Sequence, residues 1–211
     1  MSPTRSQSSR QIKPVSYAAV RDRIRNGDIA LCRGGSVQGM LISEVTGSQY
    51  THATMLGWAK PNTLMIGETR QRADGRLIDC RSEIARWPGY YDVYRVCLRP
   101  FDGNAAWTFV CHAAGSKYGW AHIARIWARR RLGERLVPAI PNSDDPASER
   151  FCSELVHAAL RTAGGPQCKE FDCDVAPGDL ACSPHLRYLF TLFACEAQVE
   201  EARLQIANCK L

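Results

Sequence analysis

No stretch of this 211-residue chain approaches the roughly 20 consecutive apolar residues that a membrane-spanning helix needs. The opening Met-Ser-Pro-Thr-Arg-Ser-Gln-Ser-Ser-Arg also lacks the apolar core of a secretory signal. The expected location is therefore the cytoplasm, with export by another system or incorporation in a virion as the other routes. Zinc-finger spacing, a helix-turn-helix signature and an aromatic RNA-binding strand motif are all missing, so no nucleic-acid partner is expected. No internal repeat is apparent. No cofactor or metal is expected.

What is present is an ordinary globular composition, 45% hydrophobic and 23% charged, in a chain long enough for one substantial core. Residues 1–14 are polar and serine-rich and read as a disordered arm, which leaves 15–211 as a single domain. The ten cysteines invite a disulfide reading, but the chain is large, lacks a signal, and sets Cys97 inside the apolar run Val93-Tyr94-Arg95-Val96-Cys97-Leu98. They are expected to be mostly reduced.

The net charge is +6, and much of it sits in Arg125, Arg129, Arg130, Arg131 and Arg135 beside Trp120, Ile123, Ile126 and Trp127. On a helix this is a basic amphipathic segment. It reads either as a solvated arginine face or as a contact for an anionic membrane or cell-wall surface through Arg125, Arg129 and Arg130.

Along the chain, a short helix over 17–25 ends at Asn26-Gly27 and yields to a strand over 28–32. Residues 37–45 carry apolar positions at helical spacing. Two apolar segments, 53–58 and 63–67, flank the turn-forming Ala59-Lys60-Pro61-Asn62 and read as an antiparallel hairpin. Strands over 76–79 and 91–98 bracket a helical piece near 82–86. Helices follow over 104–115, 121–131 and 152–163, and a last helix is expected from Ser183-Pro184, with Ser as N-cap and Pro at the first helical position. The fold class is α+β, a small antiparallel sheet packed against helices.

Two residues carry chemistry. Cys152, in Phe151-Cys152-Ser153-Glu154-Leu155-Val156-His157, falls on the first turn of a helix. There the unpaired backbone N–H groups and the positive end of the helix dipole favour a thiolate. His52, in Tyr50-Thr51-His52-Ala53-Thr54-Met55, stands at the start of a strand and can serve as the base. A hairpin centred on the turn pairs residues whose numbers sum to about 120 to 122, which sets Glu68 opposite His52 or one residue away, ready to orient the ring. The backbone N–H of Cys152 is one ready oxyanion donor, and Tyr50, Thr51 and Ser153 are further oxyanion or substrate-binding candidates. His157 lies about 140° around the helix from Cys152 and reads as structural.

The order His, carboxylate, Cys resembles the circularly permuted papain-like cysteine hydrolases, the YiiX-type branch of the NlpC-like superfamily. Four stretches carry the likeness: Gly27-Asp28-Ile29-Ala30-Leu31, Thr46-Gly47-Ser48-Gln49-Tyr50-Thr51-His52-Ala53, Phe151-Cys152-Ser153-Glu154-Leu155-Val156, and Pro177-Gly178-Asp179-Leu180 with Ser183-Pro184. The resemblance implies a permuted papain-like (NlpC-like) fold and a thiol hydrolase acting on amide or ester bonds, with cell-wall peptides or acylated small molecules as substrates. It maps the nucleophile onto Cys152, the base onto His52 and the third polar residue onto Glu68. The leading expectation is a cysteine hydrolase that cleaves a peptide amide bond through a thioester. The alternatives are an acyltransferase or lipid or ester hydrolase on the same residues, and a non-catalytic component of a larger assembly. A last alternative is a component stabilised by zinc on Cys168, Cys173, Cys182 and His185.

Overall fold

A computed structural model of the chain describes residues 14–34, 47–60, 62–71, 73–86, 89–133 and 135–193. The helix expected over 37–45, and all of the N-terminal arm but Pro14, lie outside the described residues.

Six strands form one antiparallel sheet: β1 (Asp28–Arg33), β2 (Tyr50–Lys60), β3 (Thr63–Arg70), β4 (Asp74–Asp79), β5 (Tyr90–Val96) and β6 (Leu186–Phe193), in the order β4-β3-β2-β1-β5-β6. The helices are α1 (Tyr17–Val20), α2 (Cys80–Arg86), α3 (Gly103–His112), α4 (Trp120–Leu132), α5 (Cys152–Thr162) and α6 (Pro177–Ala181). Helix α1 runs into a single 3-10 turn at Arg21–Arg23, so the 17–25 helix is realised only in part.

The central β1 is apolar almost throughout because both of its sides are covered. Ile29 and Leu31 face a core shared with Trp107 and Val110 of α3 and with Leu155, Val156 and Ala159 of α5. The alternate residues Ala30 and Cys32 face a second core with Leu56, Ile66, Ile84, Tyr91 and Phe190. Period-two alternation along one strand thus builds two cores. Close approach of α3 depends on Gly57, where an added Cβ would run into the Trp107 ring.

The last expected helix is a strand. Ser183-Pro184 does not open a helix; the Leu186 N–H bonds back to the Ser183 carbonyl in a turn, and residues 186–193 pair with β5 from Val96↔Leu186 to Tyr90↔Phe193. The segment carries Tyr188, Phe190 and Thr191, residues that suit a pleated surface. It also satisfies the open edge of β5, whose backbone groups would otherwise lack partners. A Ser-Pro pair fits a turn as well as a helix start, and sheet pairing decides between them.

Candidate active site

β2 presents His52 near its first residue. His52 pairs with Cys32 of β1, but the next pair is Arg33↔Tyr50, so Thr51 is the extra residue of a bulge. The Thr51 hydroxyl lies against two carbonyls of the facing chain, 3.3 Å from that of Cys32 and 3.2 Å from that of Gly34, and so holds the bulge beside the histidine.

β3 supplies Glu68. The hairpin register pairs Met55↔Gly67, Leu56↔Ile66, Gly57↔Met65 and Trp58↔Leu64, all summing to 122. Continued by one step, it sets Glu68 against Thr54 and diagonal to His52, two residues from it rather than opposite or one away. Diagonal neighbours share a face, and long side chains reach across that distance. The His52 Nε2 and Glu68 Oε2 atoms are 2.7 Å apart, with the histidine 7% and the glutamate 2% exposed.

The second carboxylate oxygen is engaged from β4. Arg76, paired with Glu68 in the sheet register, donates to Oε1 from Nε at 2.9 Å and from Nη2 at 2.5 Å. Arg70 stands 3.7 Å from the same oxygen and forms an ion pair with Glu83 of α2 at 2.5 Å. Burial pushes the Glu68 carboxyl up, but the His52 charge and the two arginines outweigh it and hold the pKa at about 2.

Helix α5 brings Cys152 to the same point. Its N-cap is Phe151, whose ring offers no acceptor; Glu154 instead accepts from the Phe151 N–H at 3.2 Å. The thiol is buried and hydrogen-bonds to the His52 ring, and the backbone N–H groups of Ala53 and Ser153 also point at the sulfur. Burial raises the Cys152 pKa, yet the neighbouring imidazolium and these N–H donors reverse the sign, and it falls below the usual thiol value. The histidine responds in kind: burial disfavours its charged form, Cys152 and Glu68 favour it, and its pKa rises to about 9. Both shifts favour a thiolate–imidazolium pair backed by a carboxylate. Since Nε2 is taken by Glu68, Nδ1 is the ring nitrogen left for the sulfur.

The structure therefore brings together Cys152, His52 and Glu68. The other candidates sit as follows. Ser153 donates to the Val175 carbonyl at 2.7 Å. Tyr50 donates from its hydroxyl to Asp92 at 2.9 Å and lies 2.8 Å from the Tyr94 hydroxyl, so its proton is held in that buried cluster.

Arg125 donates to the Pro138 carbonyl. Arg129 is a correction to the basic-face reading: it is 7% exposed, clamps Asp174 at 2.7 and 2.9 Å, and turns inward. The side chain of Arg130 lies outside the described residues. Cys168, Cys173, Cys182 and His185 do not converge into a metal-holding group among the described residues. The eight described cysteines are all free thiols. His157 is fully buried; it accepts from the Cys168 N–H through Nε2 at 2.9 Å, which leaves Nδ1 to donate to Asp172 at 2.7 Å.

Several neighbours of the site were not legible in the sequence. Arg76 and Arg70 act through Glu68, and only the β3–β4 register reveals them. Tyr118 packs in one cluster with Phe151 and Cys152; burial and the Cys152 charge raise its pKa, while a hydrogen bond from Gln71 opposes the rise. His122 of α4 meets Glu154 at 2.8 Å, a contact between two helices that spacing within either one does not disclose.

No protein-family model and no curated protein matches the chain. Among solved structures it is similar to the metalloprotein yiiX from Escherichia coli O157:H7, with a TM-score of 0.57 and 19% identity over 80% of this chain and 98% of that one. The likeness is one of fold: the chain is a mixed α+β protein with a yiiX-like fold.

Proposed function

We propose that this protein is a cysteine hydrolase of permuted papain-like architecture that opens an amide bond in a peptide, with cell-wall peptides as the substrate class. The observation that carries the reading is the meeting of three buried side chains, Cys152, His52 and Glu68, where a helix start abuts a strand bulge.

The Cys152 thiolate attacks the scissile carbonyl carbon; a C–S bond forms and the carbonyl electron pair moves to oxygen. Backbone N–H groups at the α5 start are the donors for that oxyanion. The intermediate collapses with cleavage of the C–N bond, and His52 gives its Nδ1 proton to the departing amine. Water then adds to the thioester as His52 takes its proton, the C–S bond breaks, and the acid leaves as the Cys152 thiolate and protonated His52 are restored. Throughout, Glu68 holds the ring and stabilises its charged form.

The yiiX neighbour is a metalloprotein, whereas the residues of this site do not fit a metal ion. The described residues contain no group of three or more His, Cys, Asp or Glu side chains that could hold an ion. The free face of Glu68 is already covered by the Arg76 and Arg70 guanidinium groups, which would repel a cation.

Transfer of the acyl group to an amine or alcohol is a second reading, favoured by a thiol only 1% exposed that packs under Tyr118 and Phe151, where water is scarce. The test is mass spectrometry of the protein after incubation with peptidoglycan fragments and acyl lipids. A peptidyl adduct on Cys152 supports the amide reading, a fatty-acyl adduct supports transfer, and no adduct with either contradicts both.

A further inference from the structure

The outer face of α4 has no role in the chemistry above, and its composition is unusual. Six large hydrophobic side chains stand exposed among the described residues, and four of them fall in this one segment: Trp120 at 55%, Trp127 at 45%, Leu132 at 59% and Leu136 at 74%. Trp120, Ala124, Trp127 and Arg131 follow one another at spacings of four, three and four, so they form a single exposed stripe along the helix. Ile126 and Arg129 occupy the opposite, buried side. The Arg131 guanidinium stacks over Trp127, 5.6 Å from its ring centroid.

We propose that this stripe docks the protein on an anionic lipid surface. Between positions 117 and 136 the chain carries Lys117, Arg125, Arg129, Arg130, Arg131 and Arg135 against the single acid Glu134. Arg129 is neutralised internally by Asp174 and Lys117 stands 3.7 Å from Asp74, which leaves Arg125, Arg130, Arg131 and Arg135 to make the segment basic. A second copy of the chain would bring like charges together. A nucleic acid would leave the aliphatic Leu132 and Leu136 in water. A bilayer with acidic headgroups satisfies both halves: tryptophan and leucine enter the interface, and arginine meets the phosphates.

The surface also leads to the site. The Trp120 ring meets Tyr118 edge to face at 5.2 Å, and Tyr118 packs with Cys152. The docking itself holds whether or not Cys152 is a nucleophile.

The experiment is cosedimentation of the full chain with phosphatidylcholine vesicles, with and without phosphatidylglycerol, with heparin and a single-stranded oligonucleotide as soluble anionic competitors. Trp127→Ala and Arg131→Gln are the variants, since both side chains are exposed and outside the candidate site; unchanged thermal unfolding confirms that they fold. Binding is expected to need phosphatidylglycerol, to weaken about fivefold in Arg131→Gln, and to weaken also in Trp127→Ala, with loss of the lipid-induced blue shift of tryptophan fluorescence. The proposal is overturned if the chain ignores acidic vesicles, or if both variants bind them as the parent does. It is equally overturned if heparin or the oligonucleotide is preferred to lipid with no dependence on Trp127.

Discussion

His52 and Glu68 stand diagonally on neighbouring strands, and their side chains close to 2.7 Å from that offset. The diagonal leaves the other carboxylate oxygen facing β4, where Arg76 is paired with Glu68 in register. One carboxylate thus divides its two oxygens between a ring that must gain a proton and a guanidinium that always carries one. With Arg70 and Glu83, two arginines balance two glutamates, and the thiolate and imidazolium balance each other. The whole cluster is neutral whichever of the thiol and the imidazole holds their shared proton, which limits the cost of burying it.

Glu68→Gln keeps the shape and removes the charge. Turnover is expected to fall about 10- to 100-fold, the usual effect of losing a partner that orients a reacting group. The folded-state pKa of about 2 lies below the usual 4.5, so the Glu68 contribution to stability is present above about pH 4.5 and lost as pH falls towards 2. Acid unfolding of the variant, followed by circular dichroism, should therefore be shallower across that window. A parent-like acid limb would show that the carboxylate is not held in this way.

Arg76→Gln tests whether Arg76 acts through Glu68, the carboxylate it binds. Without the guanidinium, the Glu68 carboxyl loses a stabilising charge, and its pKa climbs towards the ordinary range. The acid limb of the activity profile should move to higher pH while KM stays near the parent value. A merely structural role would lower protein yield or melting temperature without moving the profile.

The thiolate–imidazolium pair sets the pH dependence of Cys152 alkylation. The lowered thiol pKa and the His52 pKa of about 9 predict that reactivity sets in below the free-cysteine value of about 8.5, with a change as His52 deprotonates near 9. His52→Ala leaves only the Ala53 and Ser153 N–H groups to oppose burial, so alkylation at pH 7 should drop. A rate that rises with a midpoint at or above 8.5 in the parent chain would contradict the pairing.

Gly57→Ala addresses the scaffold. The new methyl group collides with the Trp107 ring, which is itself 5% exposed and wedged between α3 and the sheet. Destabilisation of about 1–3 kcal/mol is expected from overpacking, read as a lowered midpoint in urea. An unchanged midpoint would mean that α3 shifts freely.

Local pattern carried the hairpin, the helix start at Cys152 and the meeting of His52 with Glu68, because alternation and turn chemistry lie within a few dozen residues. The two-residue diagonal follows from a sum of 122, the upper end of the expected range, and the turn conformation at Asn62, whose φ is 73°, selects it. Not legible were the strand at 186–193, which an unsatisfied sheet edge decides, and the inward turn of Arg129, which a carboxylate 45 residues away decides. Arg76 reaches the site through the β3–β4 register, and Tyr118 only through tertiary packing. The sequence pattern sees faces, and long-range contacts choose what each face meets.

The central claim is that Cys152 is an activated nucleophile. Its most direct test is labelling by a thiol-directed acyl probe, compared between the parent chain and Cys152→Ala at matched circular dichroism. One adduct at Cys152 is expected in the parent chain at neutral pH and none in the folded variant, although seven other described cysteines remain. Labelling and turnover that persist in Cys152→Ala would contradict it.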